Sequence, residues 1–133
     1  MIMHEEKIAL VRQQIAAVRA AAEKREIRDI YVAACGGSLA TLYPVKYILE
    51  RETDAVTVSA VNAAEFYNDP PCRLGEHALV ILNSQSGTTA ETVAAARLAR
   101  ERGALTAAFT TAPGSVMEQT VDCPIYYYDD PVN

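Results

Sequence analysis

Histidine is nearly missing from this chain. Two occur in 133 residues, His4 and His77, too few and too isolated to build a Ser-His-Asp triad or a histidine metal centre. Cysteine is scarce as well: Cys35, Cys72 and Cys123 are odd in number and widely spaced. They suggest neither a disulfide framework nor a CxxC metal motif and read as small apolar residues. No apolar run approaches the roughly 18 residues needed to cross a bilayer. The opening Met1-Ile2-Met3-His4-Glu5-Glu6 lacks a secretory signal, so the expectation is a cytoplasmic protein with no membrane partner. Basic clusters are missing too. With a net charge of −5, the chain is not expected to take nucleic acid as its main partner, because affinity for a phosphate backbone depends on concentrated Lys and Arg. The G-x-x-x-x-G-K-[ST] loop is nowhere present, and G-x-G-x-x-G is not met around Gly36 and Gly37, where Leu39 and Ala40 break the spacing. Without a metal, nucleotide or redox motif, neither a metal nor a cofactor is expected.

What remains is ordinary for a soluble module, with half the residues apolar and 22% charged. The length fits one domain over residues 1–133, with no linker and no low-complexity segment. Ile8, Val11, Ile15 and Val18 recur at three- and four-residue steps, which predicts an amphipathic first helix. Its stripe must be buried on its own domain or on another subunit. Apolar runs at residues 30–34, 56–60, 78–83, 104–110 and 123–128 predict strands. Between them the pattern predicts helices at residues 39–51, with Pro44 in the opening turn, at about 89–102, stopped by Gly103, and at 115–119. Residues 61–67 read as a loop or short helix. Strands alternating with helices, the central ones apolar on both faces, imply a parallel sheet covered on both sides.

One turn stands out. Ser84-Gln85-Ser86-Gly87-Thr88-Thr89-Ala90-Glu91-Thr92 lies between the third strand and an alanine-rich helix. Backbone N–H groups at a helix start have no intrahelical partner, and the helix dipole puts partial positive charge there, so a phosphate is held without Lys or Arg. Gly87 allows close backbone approach and the hydroxyls add donors. Glu91 is placed to close a capping box with the Thr88 hydroxyl. The Gly36-Gly37-Ser38 turn also ends a strand, so both turns fall where doubly wound sheets bind ligands and are placed to converge on one molecule. Glu65, in Asn62-Ala63-Ala64-Glu65-Phe66, reads either as a solvated surface residue or as a base or sugar-hydroxyl contact at the same crevice. Tyr126-Tyr127-Tyr128 reads as strand packing, with stacking on a sugar as the alternative.

Together, Cys35-Gly36-Gly37-Ser38 and the Ser84 to Thr92 run resemble the sugar isomerase (SIS) domain, over about residues 28–128. The resemblance implies a three-layer αβα sandwich with a five-stranded parallel sheet, doubly wound in the flavodoxin-like manner. It implies that Ser84, Gln85, Ser86 and Thr89, with Thr88, bind the phosphate, and that Gly36, Gly37 and Ser38 line the sugar. Pro113-Gly114-Ser115 resembles a third element near the ligand, which adds Ser115. Within the family, the Cys35 to Ala40 stretch, Tyr43-Pro44-Val45-Lys46-Tyr47, Asn62 to Phe66 and Gly103-Ala104-Leu105-Thr106 look most like the fructosamine (fructoselysine) 6-phosphate deglycases, which have two SIS modules. This chain would be the first. The expected ligand is a sugar phosphate or amino-sugar phosphate. The expected chemistry is ring opening, proton transfer between C1 and C2, and hydrolysis of the imine to sugar phosphate and amine. The catalytic groups would sit largely in the second module or a neighbouring subunit, with Glu65 the local candidate. Two alternatives remain, a phosphosugar-sensing module without chemistry and simple capture of inorganic phosphate. A homo-oligomer, a dimer in the simplest case, is expected to cover the apolar helix face.

Overall fold

In the computed structural model, which describes residues 2–127, the chain runs α1 (Ile2–Glu23), β1 (Asp29–Ala34), α2 (Gly36–Ala40), α3 (Tyr43–Glu52), β2 (Thr57–Asn62), α4 (Ala63–Asn68), β3 (Ala78–Asn83), α5 (Ala90–Glu101), β4 (Leu105–Thr110), α6 (Val116–Thr120) and β5 (Cys123–Tyr126). The strands form one parallel sheet in the order β2-β1-β3-β4-β5. The order reverses between β1 and β3, as in flavodoxin-like doubly wound sheets. Every residue of β1 is buried, as a central parallel strand requires. Successive side chains feed opposite cores. Tyr31 and Ala33 pack with Phe66 of α4, Ala95 and Ala96 of α5 and Met117 of α6. Ile30 and Val32 face the other way, where Val18, Ala21 and Ala22 of α1 and Val45 and Leu49 of α3 cover the sheet. The result is the expected three-layer αβα sandwich. No described helix is long and apolar enough to cross a membrane.

The structure corrects the single helix expected at residues 39–51. Residues 36–40 already form α2, and α3 starts afresh at Tyr43 with Pro44 in its first turn. Pro44 has no N–H to offer Ala40, and its ring would crowd that carbonyl in a continuous helix. The chain therefore breaks at Thr41 and Leu42, and Leu42 drops into the core at 2% exposure. The segment at 61–67 also resolves: β2 runs on to Asn62, whose Oδ1 accepts from the Ala64 N–H at 2.9 Å and so opens α4. The last strand ends at Tyr126; Tyr128, included in the expected strand, lies outside the described residues.

The amphipathic stripe of α1 divides. Val11 and Val18 are half-buried, whereas Ile8 and Ile15 stay 41% and 45% exposed. Gln14 fixes this rotation. Its Nε2 donates to the Tyr126 carbonyl at 3.0 Å, and its Oε1 accepts from the Tyr126 N–H at 2.9 Å. The side-chain amide imitates a neighbouring strand on edge strand β5. Pro124, one pleat earlier, has no N–H to leave exposed. An edge closed in this way offers little for another chain to pair with. Hence α1 packs on its own domain, and its exposed isoleucines point elsewhere.

Candidate functional site

At the carboxyl end of the sheet, Ala34 of β1 is registered with Asn62 of β2 on one side and Asn83 of β3 on the other. The turns leaving β1 and β3 therefore start side by side at the point where the strand order reverses. Gly36, with φ +52°, turns the chain straight from β1 into α2. Two cross-links then join the turns, one on each face of the sheet. On the α3 face, the buried Asn83 side chain donates from Nδ2 to the Thr41 hydroxyl at 2.7 Å and to the Ser38 carbonyl at 3.3 Å. On the α5 face, the Thr92 hydroxyl donates to Cys35 Sγ at 3.7 Å. Cys35 is thus a hydrogen-bond acceptor as well as the small apolar residue expected.

The second turn is organised from within. Ser84 is 1% exposed; its Oγ accepts from the Gly87 N–H at 3.1 Å and donates to the Thr89 hydroxyl at 3.0 Å. The Thr88 hydroxyl donates to Ser86 Oγ at 2.9 Å, and both residues are exposed. Backbone carbonyls are drawn into the protein. The Gln85 carbonyl accepts from Thr110, from the Thr111 hydroxyl and from the Thr111 N–H, and the Gly87 carbonyl accepts from the Met117 N–H at 3.1 Å. Acceptor oxygens that would repel an anion are occupied elsewhere.

The capping box expected between Thr88 and Glu91 does not form. Thr89 is the N-cap of α5 but its side chain makes no capping bond, and the Thr88 hydroxyl is turned to Ser86. The helix begins one residue later than that spacing requires. Its first-turn N–H groups lack intrahelical partners, and Ser86 and Thr88, in the turn that leads into it, are exposed.

Gly87 has φ +72°, and a Cβ built on it falls 2.3 Å from Ser115 Oγ and 3.1 Å from Thr110 Oγ1. Ser115, the N-cap of α6, is therefore packed directly behind the turn, which places the third sequence element at the same loop. Glu118 secures that element by accepting from the Gly114 N–H. Burial, and then the neighbouring Glu118, push the Tyr126 hydroxyl up to about 12, so it remains a neutral phenol at physiological pH.

The structure separates other candidates. Glu65 is exposed on α4 and lines a pocket of about 400 Å³ with Val61, Ala64, Asn68 and Asp69, none of them from the two turns. The tyrosine run divides: Tyr126 packs toward Glu118, whereas the Tyr127 hydroxyl donates to Asn83 Oδ1 at 3.5 Å. Asn83, Thr41 and Thr92 were not among the expected site residues. Asn83 carried a signal nonetheless, as a polar residue ending an otherwise apolar run, Ala78 to Leu82.

Residues 25–131 match the SIS domain family model. The chain belongs to the SIS domain family. It is 42% identical over 111 residues to the fructosamine deglycase FrlB of Bacillus subtilis (strain 168), a match covering 84% of this chain and 34% of that protein. It is 37% identical over 107 residues to the fructoselysine 6-phosphate deglycase of Escherichia coli (strain K12), covering 80% of this chain and 31% of that one. Its fold superposes with a TM-score of 0.83 on the structure of a candidate phosphosugar isomerase from Bacillus subtilis, at 38% identity, over 96% of this chain and 39% of that chain. The SIS chain thus spans about a third of the length of the deglycases it matches.

Proposed function

We propose that the chain is the phosphosugar-binding SIS module of a sugar-phosphate isomerase or deglycase acting on fructosamine 6-phosphates, and the first of two such modules. The observation that carries this reading is the stitching of the two strand-end turns, from both faces of the sheet, beside an uncapped helix start. The phosphate sits over the first turn of α5, with Ser86 and Thr88 offering exposed hydroxyls and Ser84, Gln85 and Thr89 completing the turn. The sugar lies toward Gly36, Gly37 and Ser38, and Ser115 backs the phosphate turn. The similarity to two deglycases supports a ketosamine phosphate over a simple sugar phosphate.

The chemistry then requires a base to move a proton between C1 and C2 of the opened sugar, after which water cleaves the imine to sugar phosphate and amine. Glu65 is the candidate within this chain, and its separate pocket makes its role depend on how subunits or modules assemble around the crevice. A homo-oligomer in the cytoplasm is part of the same reading. Incubation with fructoselysine 6-phosphate is expected to release lysine and glucose 6-phosphate. In protein that turns over, Glu65→Gln lowers the rate by about 10²–10⁴ if Glu65 is the base. A loss below about threefold removes it from the mechanism. Binding without turnover by a protein that carries both modules would favour the sensing module instead.

A further inference from the structure

In the turn at residues 84–89, the Ser86 and Thr88 side chains are both exposed, but their hydroxyls are bonded in opposite senses. We propose that Thr88 serves the phosphate through Ser86. It is a positioning residue whose hydroxyl and N–H hold the Ser86 hydroxyl as an outward donor, and Ser86 makes the contact. The inference rests on the phosphosugar reading and divides the roles within that site.

The sense of the bonds comes from counting lone pairs and hydrogens. A serine hydroxyl has two lone pairs to accept with and one hydrogen to give. Ser86 Oγ accepts from the Thr88 N–H at 3.2 Å and from the Thr88 hydroxyl at 2.9 Å. Both lone pairs are filled, so its hydrogen is the part it can offer a ligand. The Thr88 hydroxyl has committed its hydrogen to Ser86 and presents lone pairs alone. Toward an oxyanion the first group is attractive and the second repulsive. Direct contact by Thr88 requires breaking the 2.9 Å bond, and Ser86 would then regain a lone pair beside the same anion.

Strength and placement follow from the same bonds. A hydroxyl that accepts hydrogen bonds is polarised by them and donates more strongly. Threonine suits the supporting position, because its branched Cβ restricts χ1 and keeps the hydroxyl where it is. On either side of Ser86 the backbone acceptors turn inward: the Gln85 carbonyl accepts from Thr111 and the Gly87 carbonyl from the Met117 N–H. A second hydroxyl pair follows the same pattern, since Ser84 Oγ accepts from the Gly87 N–H and donates to Thr89. That pair is built from other atoms, which makes a change at the Thr88 hydroxyl selective for Ser86.

A double-mutant cycle read by fructose 6-phosphate affinity tests this. Ser86→Ala is expected to weaken binding by about tenfold or more, as loss of a hydrogen bond to a charged group does. Thr88→Val keeps the shape and the N–H but not the hydroxyl, and is expected to weaken binding by about three- to tenfold, with Thr88→Ser restoring it to within about twofold. In the Ser86→Ala background, Thr88→Val is expected to weaken binding by less than about twofold, because the group it supports is gone. An equal loss from Thr88→Val in both backgrounds would show direct contact and overturn the inference, as would no loss from Thr88→Val in the otherwise unaltered chain. Urea midpoints establish that folded proteins are compared; should Thr88→Val not fold, Thr88→Ala takes its place in the cycle. If the unaltered chain binds neither fructose 6-phosphate nor inorganic phosphate, the phosphosugar reading fails and this assignment with it. If it binds and the two changes are additive, only the assignment fails.

Discussion

Replacing Gly87 by alanine is expected to destabilise the protein by about 2–5 kcal/mol and to remove measurable phosphosugar binding. Two costs combine. The φ of +72° is a left-handed conformation that costs an L-residue about 1–2 kcal/mol, and the added methyl overpacks a filled site for about 1–3 kcal/mol more. The obstacles are specific: Ser115 Oγ and Cβ would lie 2.3 and 2.5 Å from the new Cβ. Relief requires the turn at residues 84–89 to move away from α6, which breaks the bond from the Met117 N–H to the Gly87 carbonyl. Gly114→Ala is the control. Gly114 has φ +79° but nothing within 4 Å of its built Cβ, so only the backbone cost applies there. Urea denaturation of the two variants, with fructose 6-phosphate titration of each, reads the difference. Equal losses of stability would show that the packing of Ser115 against Gly87 does not matter.

Asn83→Asp is expected to preserve the outline of the site while weakening phosphosugar binding by about tenfold or more. A carboxylate keeps the shape of the amide but donates nothing, so the Ser38 carbonyl would face a carboxylate oxygen where it now receives an N–H at 3.3 Å. The turn after β1 loses one of its two ties to the turn after β3. The new negative charge also stands next to Ser84, at the start of the turn proposed to hold the phosphate, and like charges at such range are costly in a partly buried site. Two readouts separate these effects. Affinity for inorganic phosphate reports the charge, and its ratio to the affinity for fructose 6-phosphate reports whether the sugar turn has drifted. Unchanged affinity for both ligands would deny Asn83 its bridging role.

Local features of the site were readable from the chain. The run Ala78 to Leu82 reads as a strand buried on both faces, and the hydroxyl-rich turn with one glycine reads as the approach to a helix start. The two α/β turns at adjacent strand ends followed from the alternation of elements, and the sheet order confirmed their adjacency. The ties between them were not readable. Asn83 to Thr41 spans 42 residues and Thr92 to Cys35 spans 57, and nothing in a single sequence pairs residues at such distances. Errors arose where a local pattern fits two states. Pro44 is acceptable in the first turn of a long helix or at the start of a new one, and tertiary packing of Leu42 selects the second. Thr88 and Glu91 have capping-box spacing, but the box needs Thr88 at the N-cap, and the Ser84 bond to Thr89 moves the helix start by one residue. Periodicity identified α1, yet the face it buries is set by the grip of Gln14 on Tyr126, a contact across 112 residues.

The central claim is that one phosphosugar is held jointly by the turns after β1 and β3. Amide chemical-shift mapping of the 14.4 kDa chain during titration with fructose 6-phosphate tests it residue by residue. The expected result is a saturable set of shifts at Gly36, Gly37 and Ser38 and across Ser84 to Thr92, with inorganic phosphate moving only the second group. Shifts centred elsewhere, for instance on the groove between Arg97, Arg100 and Gln119, or no saturable shifts at either turn, would contradict it.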